Sequence, residues 1–263
     1  MIAKSLLKSA LYSLYTRRLL RQVQQGPLPR HVALILDGNR RFARLHGLES
    51  PQAGHQMGAE KLDELLEWCD ELAIPLVTVW ALSMDNLSRR PEELSDLIKV
   101  IESKLKALAQ TQRRKRSPRS IHALGRLEML PASLRSMISD AETSTAHLGP
   151  LRLNIALGYD GREEITQAVR SLLLEQAEKK ASLHDVAEKL TSQEIARWLY
   201  CNGDPDPDLV IRTSGELRLS GFLLWQSAYS ELYFCDALWP AFRKVDFLRA
   251  LRIYQQRERR FGR

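Results

Sequence analysis

The chain alternates short, wholly apolar runs with longer stretches whose apolar residues recur at helical spacing. Val32-Ala33-Leu34-Ile35-Leu36 is apolar at every position and stops at Asp37-Gly38-Asn39, the pattern of a buried strand that ends in a turn. A helix is expected from Arg40. Similar runs at Leu76–Leu82, Ile121–Leu124, Leu151–Leu157, Leu209–Ile211 and Phe222–Trp225 are predicted as further strands. Between them the spacing predicts helices over Met57–Leu72, Glu92–Ala109, Ala132–His147 and Glu163–Ala181. Strands alternating with helices of this length predict an α/β fold, a mostly parallel central sheet flanked by helices.

Ahead of the first strand, Ile2, Leu6, Leu7, Leu11, Leu14, Tyr15, Leu19 and Val23 recur at helical spacing among Lys4, Lys8, Arg17, Arg18 and Arg21. Residues 1–25 therefore read as an amphipathic, basic helix. The segment lacks the compact apolar core and small-residue cleavage site of a signal peptide. Two destinations stay open for it: packing on its own domain or a dimer mate, or peripheral docking on an anionic membrane surface. Gly26-Pro27-Leu28-Pro29 breaks the helix, so the expected organisation is a leader over residues 1–28 and one domain over residues 29–263.

Composition narrows the picture only partly. At 263 residues and 44% hydrophobic content, the chain can bury one sizeable core. Its 39 Lys and Arg against 32 Asp and Glu give a formal charge of +7, which favours polyanions: nucleic acid, anionic membrane or diphosphates. Cys69, Cys201 and Cys235 are odd in number and widely spaced, as expected of buried free thiols in the reducing cytoplasm. No apolar run approaches the roughly 20 residues of a membrane span. The charge run Arg113–Arg119 has no interleaved aromatics and is expected to be a solvated loop, so nucleic acid is set aside. Asp204-Pro205-Asp206-Pro207-Asp208 is expected to be an extended loop held by its prolines, not a metal cluster.

The candidate chemistry lies at the strand ends, where parallel sheets bind their ligands. These ends read Asp37-Gly38-Asn39-Arg40-Arg41, Ser83-Met84-Asp85-Asn86, Gly158-Tyr159-Asp160-Gly161 and Arg212-Thr213-Ser214-Gly215-Glu216. A Gly beside an Asn and two Arg at a helix start offers backbone N–H groups and fixed positive charge, which is what a diphosphate needs.

Several blocks in order, His31 to Ala43, Gly54-His55 with Gly58, Ser83 to Arg89, Asn154 to Ile165, Asp206 to Glu231 and Arg260-Phe261-Gly262, closely resemble the cis-prenyltransferases, the undecaprenyl diphosphate synthase family. The resemblance implies an apolar tunnel for the growing chain, a homodimer and Mg²⁺. It also implies condensation of isopentenyl diphosphate with an allylic diphosphate to leave a Z double bond. By residue match, Asp37 is the catalytic carboxylate that holds Mg²⁺, and Glu231 completes the metal site, from across the dimer interface if not from the same chain. Gly38, Asn39, Arg40, Arg41 and His55 cradle the allylic diphosphate. Arg212, Arg218 and Ser220 bind isopentenyl diphosphate, and Arg260 and Gly262 reach the partner's homoallylic site. Ser83, Asn86 and Arg89 lie near the reacting carbons, Asn86 matching a residue assigned to proton removal. Phe42, Met84, Asp85, Leu87 and Leu219 complete the expected substrate-binding set.

Some positions depart from the family pattern: Phe42 and Leu87 replace the usual Trp, and the loop 47–53 is longer and lacks a gripping Arg. With the Arg-Thr-Ser-Gly-Glu block, these departures resemble actinobacterial short-chain members that make Z,E-farnesyl diphosphate. A decaprenyl or undecaprenyl product, a branched product and a non-catalytic partner subunit are the alternatives. Trp80, next to the Ser83 loop, is the candidate to bound the tunnel.

Overall fold

In the computed structural model, which describes residues 2–112 and 118–257, the elements are helix α1 (Ile2–Gln24), strand β1 (His31–Ile35), α2 (Asn39–Leu45), α3 (Pro51–Glu71) and β2 (Leu76–Ser83). There follow α4 (Met84–Leu87), α5 (Pro91–Gln112), β3 (Arg119–Leu124), α6 (Ala132–Thr145), β4 (Leu151–Tyr159), α7 (Gly161–Glu178), α8 (Leu183–Lys189) and α9 (Ser192–Ala196). The chain continues with β5 (Leu209–Arg212), β6 (Glu231–Phe234) and α10 (Lys244–Gln256). The strand order is β3-β4-β2-β1-β5-β6. Backbone contacts gather the chain into two units, one of Met1–Val77, Pro207–Leu217 and Glu231–Arg263, the other of Thr78–Asp206 and Arg218–Ser230.

In the first unit β1 pairs with β5 and β5 with β6, all parallel, in a register that aligns Val32 with Leu209 and Glu231, and Ile35 with Arg212 and Phe234. Strand β1, apolar from Val32 to Ile35, is buried at every position, as a strand covered on both faces must be. Helix α3 starts at Pro51 with Ser50 as its cap, the Ser50 Oγ accepting from the Ala53 N–H at 3.3 Å. Helix α1 is seated by Leu19 and Val23, 1% and 0% exposed, and by Tyr12 and Tyr15, whose rings lie 5.6 and 5.5 Å from the guanidinium groups of Arg243 and Arg249. Over this stretch the leader packs on its own chain, while Leu11 and Leu14 remain exposed. Among the described residues no helix is long and apolar enough to cross a membrane.

In the second unit β3 and β4 run parallel from Arg119↔Leu151 to Leu124↔Ala156. Helix α6 makes the crossover between them, and its Glu142 Oε1 accepts from the Ala123 N–H at 2.8 Å. Strand β4 is buried from Leu153 to Tyr159. Helix α7 begins on Asp160, whose carboxylate accepts from the Arg162 and Glu163 N–H groups at 2.9 and 3.1 Å. Asp204 accepts from Arg152 and Asn154 at 2.6 and 2.8 Å, in keeping with its expected loop.

Two expectations are corrected. Phe222–Trp225 is not a strand but a run of turns, with Phe222 and Leu223 fully buried and Leu223 at φ 46°. Its apolar character serves aromatic packing, since Phe222 stacks on Trp80 at 5.3 Å. The sixth strand is instead β6, four half-exposed residues at the sheet edge. Within the expected basic loop, residues 113–117 lie outside the described residues, but Arg119 opens β3 and is fully buried opposite Leu151.

Candidate active site

In the first unit the ends of β1 and β5 are tied into one scaffold. The Asp37 N–H donates to Thr213 Oγ1 at 3.0 Å, and that hydroxyl lies 2.7 Å from the Asp37 carbonyl oxygen, to which it donates. The Trp239 N–H donates to the same carbonyl at 3.0 Å. Arg212, 5% exposed, extends from the end of β5 and donates through Nη2 to Asp37 Oδ2 at 2.9 Å. The Asp37 side chain keeps 38% of its surface accessible. A buried guanidinium therefore holds an accessible carboxylate at a strand end, next to a turn whose backbone is locked by three hydrogen bonds.

Gly38 makes that turn at φ 107°, in the left-handed region, and occupies the cap position of α2 without any side-chain cap bond. A Cβ there would lie 2.9 Å from Leu238 Cδ2. Asn39 donates through Nδ2 to the Leu36 carbonyl at 2.9 Å, and its Oδ1 is buried with no hydrogen-bond partner. Gly54 and Gly58 let α3 close on it, because a Cβ at Gly58 would stand 2.1 Å from Asn39 Oδ1. Trp239 Nε1 fixes the same helix by donating to the Gly58 carbonyl at 2.8 Å. His55 sits half-buried between these two glycines.

Arg41 reaches the loop after β5, with Nη1 donating to the Ser214 carbonyl at 2.9 Å and Nη2 pairing with Glu216 at 3.1 Å. Arg40 is exposed on α2, while Phe42 is buried and stacks on His46 with ring centroids 3.9 Å apart. Ser214 and Gly215 turn at φ 80° and 74°, and the Ser214 Oγ is buried without a hydrogen-bond partner. A non-glycine residue in the left-handed region and orphaned buried polar atoms are features that gather at ligand sites.

Glu231 stands apart from Asp37 in this chain. It opens β6, in register with Leu209 and Val32, and ion-pairs with Arg257. From Val32 the strand rises roughly 10 Å to its end at Ile35, and Asp37 lies beyond that end. The two carboxylates do not meet within one chain. Among the described residues no group of three or more His, Cys, Asp and Glu gathers to hold a metal. The accessible Asp37 carboxylate fits a hard ion such as Mg²⁺, which keeps water and phosphate oxygens and takes few protein carboxylates.

In the second unit Ser83 and Asn86 form a capping box on α4: the Asn86 N–H donates to Ser83 Oγ at 3.2 Å and the Ser83 N–H to Asn86 Oδ1 at 3.1 Å. The Asn86 amide is thereby oriented. Met84 and Leu87 are half-buried, Asp85 is exposed, and Arg89 pairs with Glu93 at 3.1 Å. Arg218 and Ser220 are exposed and Leu219 half-buried, in a loop where Ser220 and Gly221 adopt φ 50° and 94°. Arg260 and Gly262 lie outside the described residues.

The sequence did not single out Thr213, Trp239 or Glu164. Glu164 is 1% exposed and accepts from Tyr159 Oη at 2.5 Å, the Tyr200 N–H at 2.9 Å and Gln226 Nε2 at 3.0 Å. Burial pushes its carboxyl above the usual range against those three hydrogen bonds. Burial likewise raises the Tyr159 hydroxyl and takes that of Tyr200 to about 12. The signal for Thr213 was present in the Arg-Thr-Ser-Gly-Glu block. A Glu in the first turn of a helix carries no such mark.

A family model described as undecaprenyl diphosphate synthase matches residues 35–262. The (2Z,6E)-farnesyl diphosphate synthase of Thermobifida fusca is 56% identical over 257 residues, 98% of this chain and 99% of that protein. The tritrans,polycis-undecaprenyl-diphosphate synthase (geranylgeranyl-diphosphate specific) of Methanopyrus kandleri is 49% identical, over 96% of this chain and 91% of that one. Among solved structures, lavandulyl diphosphate synthase from Lavandula x intermedia, crystallised with dimethylallyl diphosphate, superposes with a TM-score of 0.84 at 33% identity, over 90% of this chain and 99% of that one.

Proposed function

The chain belongs to the undecaprenyl diphosphate synthase family of cis-prenyltransferases, and on that premise we propose that it condenses isopentenyl diphosphate with geranyl diphosphate to make Z,E-farnesyl diphosphate. The observation that carries the proposal is the accessible Asp37 carboxylate held by the buried Arg212 guanidinium at 2.9 Å. The 56% identity to a (2Z,6E)-farnesyl diphosphate synthase supports the short product.

In this reading Asp37 is the protein ligand of Mg²⁺, and the bound ion supplies positive charge against the departing diphosphate. Asn39, Arg40, Arg41, His55 and the Gly38 backbone bind and orient that diphosphate, so that its carbon–oxygen bond breaks next to fixed donors. Phe42, buried at the start of α2, supports this cradle. Arg212, Arg218 and Ser220, with Leu219, hold the isopentenyl diphosphate, which must stay intact and so is served by guanidinium and hydroxyl donors. The Ser83–Asn86 capping box holds the Asn86 amide in one orientation for removal of the proton that leaves the new Z double bond, with Met84, Asp85, Leu87 and Arg89 around it. Tight packing at Trp80 limits the length of the product.

The separation of Glu231 from Asp37 is accounted for if Glu231 serves the metal site of a second copy, and a homodimer follows. Arg260 and Gly262 act across the same interface. Residues 29–263 form the catalytic domain and residues 1–28 a leader, and the protein works in the cytoplasm.

Chromatography of the products from isopentenyl diphosphate and primers of different length tests this reading. Geranyl diphosphate with Mg²⁺ should yield one Z,E-farnesyl product, and chelation should abolish it. A long polyprenyl ladder, a branched product or no product would each replace the reading.

A further inference from the structure

The paired residues of β1 and β5 end at Ile35 and Arg212, so Asp37 lies beyond the ladder and its peptide groups need other partners. Thr213, 0% exposed, supplies them with its side chain. Its Oγ1 accepts from the Asp37 N–H at 3.0 Å and donates its one proton to the Asp37 carbonyl at 2.7 Å, the nearer of two carbonyls in reach, since that of Ile35 lies at 3.2 Å. The Ile35 carbonyl has other donors, the N–H groups of Asp37 and Thr213 at 3.0 and 3.4 Å. One hydroxyl thus holds both peptide groups that flank the Asp37 Cα, and these set the direction in which the carboxylate leaves the backbone. A threonine in a turn commonly bonds its own backbone two residues on. Here the partner is 176 residues away.

Two neighbours make that grip matter. The next joint of the chain is Gly38 at φ 107°, and a residue without a Cβ leaves its turn free to rotate unless something outside holds it. On the other side Arg212 Nη2 draws Asp37 Oδ2 to 2.9 Å by a charge-assisted bond, stronger than a neutral one. Released from Thr213, the carboxylate would turn to meet the guanidinium with both oxygens and lose the accessible face that it now keeps. The Trp239 N–H, 3.0 Å from the Asp37 carbonyl, holds only one of the two peptide groups.

We propose that Thr213 is a positioning residue for the metal carboxylate: its hydroxyl fixes the Asp37 backbone so that one carboxylate oxygen stays with Arg212 and the other stays open to Mg²⁺. The proposal rests on the reading that Asp37 is the protein ligand of that ion.

Calorimetric titration with a non-reactive allylic thiodiphosphate, with and without Mg²⁺, tests it on three variants whose folding is checked by circular dichroism. Thr213→Val keeps the shape of the side chain and removes the hydroxyl. It should lower the Mg²⁺-dependent gain in affinity about tenfold and change binding without the ion by less than about twofold. Thr213→Ser keeps the hydroxyl and should retain the parent gain within about twofold. Asp37→Asn is the reference and should show no gain. If Asp37→Asn loses the gain and Thr213→Val keeps it, the positioning role is wrong while the metal reading stands. If Asp37→Asn keeps the gain, the metal reading falls and the proposal with it. Equal weakening of Thr213→Val with and without the ion reduces Thr213 to general scaffolding and overturns the proposal. So does a loss in Thr213→Ser as large as that in Thr213→Val.

Should Thr213→Val not fold, because a methyl group then faces two carbonyls, Thr213→Ala replaces it with the same expected loss, and a full Mg²⁺-dependent gain there contradicts the proposal. Turnover gives a second readout. The Mg²⁺ concentration for half-maximal rate should rise about tenfold in the variant that lacks the hydroxyl, and an unchanged value would contradict the role assigned to Thr213.

Discussion

The dipeptide Asp-Gly stands between a strand and a helix twice in this chain, after β1 and after β4, and the two copies are used differently. At Asp160-Gly161 the carboxylate closes its own helix, accepting the Arg162 and Glu163 N–H groups at the start of α7. At Asp37-Gly38 the left-handed turn of Gly38 moves the cap position one residue on, α2 starts with no side-chain cap, and the Asp37 carboxylate meets Arg212 instead. The first arrangement satisfies the backbone, both N–H groups going to the one oxygen Oδ1. The second leaves helix N–H groups, an accessible carboxylate and guanidinium groups in one place. The same two residues are thus a structural cap in one setting and a candidate metal site in the other, and the glycine's φ together with the partner across the sheet decides which.

The largest expected separation between the copies is catalytic. Asp37→Ala should lower turnover by about three orders of magnitude or more, measured as labelled isopentenyl diphosphate incorporation, with the thermal midpoint nearly unchanged. Asp160→Ala should keep turnover within about threefold. Near-normal activity in Asp37→Ala would erase the contrast. Next comes Gly38→Ala, which puts a side chain at φ 107° and 2.9 Å from Leu238; it should cost about 2 kcal/mol in urea unfolding. Asp160→Ala should cost about 1 kcal/mol by the same method, the value of a lost helix cap.

The smallest effect concerns pH. Burial raises the Glu164 carboxyl in the folded state, so the folded chain holds that proton to higher pH than the unfolded one. Its contribution to stability is complete below the ordinary Glu range and is lost as pH rises through the raised value. Glu164→Gln should flatten that part of the stability–pH curve, which urea melts across the acidic range would show. An unchanged slope would assign the titration elsewhere.

Most of the sheet was legible because its central strands are largely buried and so read as apolar runs, β1 and β5 above all. The edge strand was not: Glu231-Leu232-Tyr233-Phe234 is short, half-exposed and opens on a charge, so no alternation or run marks it. Phe222–Trp225 was misread for the converse reason, since burial by stacking on Trp80 looks the same in sequence as burial in a sheet. At the site, the Asp37–Arg41 and Arg212–Glu216 blocks are contiguous and could be read directly, and the structure joins them through Arg212 and Arg41. The distance of Glu231 from Asp37, and the convergence of Tyr159, Tyr200 and Gln226 on Glu164, depend on strand register and on contacts between distant segments, which no local pattern encodes.

Calorimetric titration of a non-reactive allylic thiodiphosphate, with and without Mg²⁺, tests the use of Asp37 most directly. The parent protein should bind it more tightly with Mg²⁺ present, and Asp37→Asn should bind it equally with and without the ion. A full Mg²⁺-dependent gain in Asp37→Asn would contradict the assignment of that carboxylate to the metal.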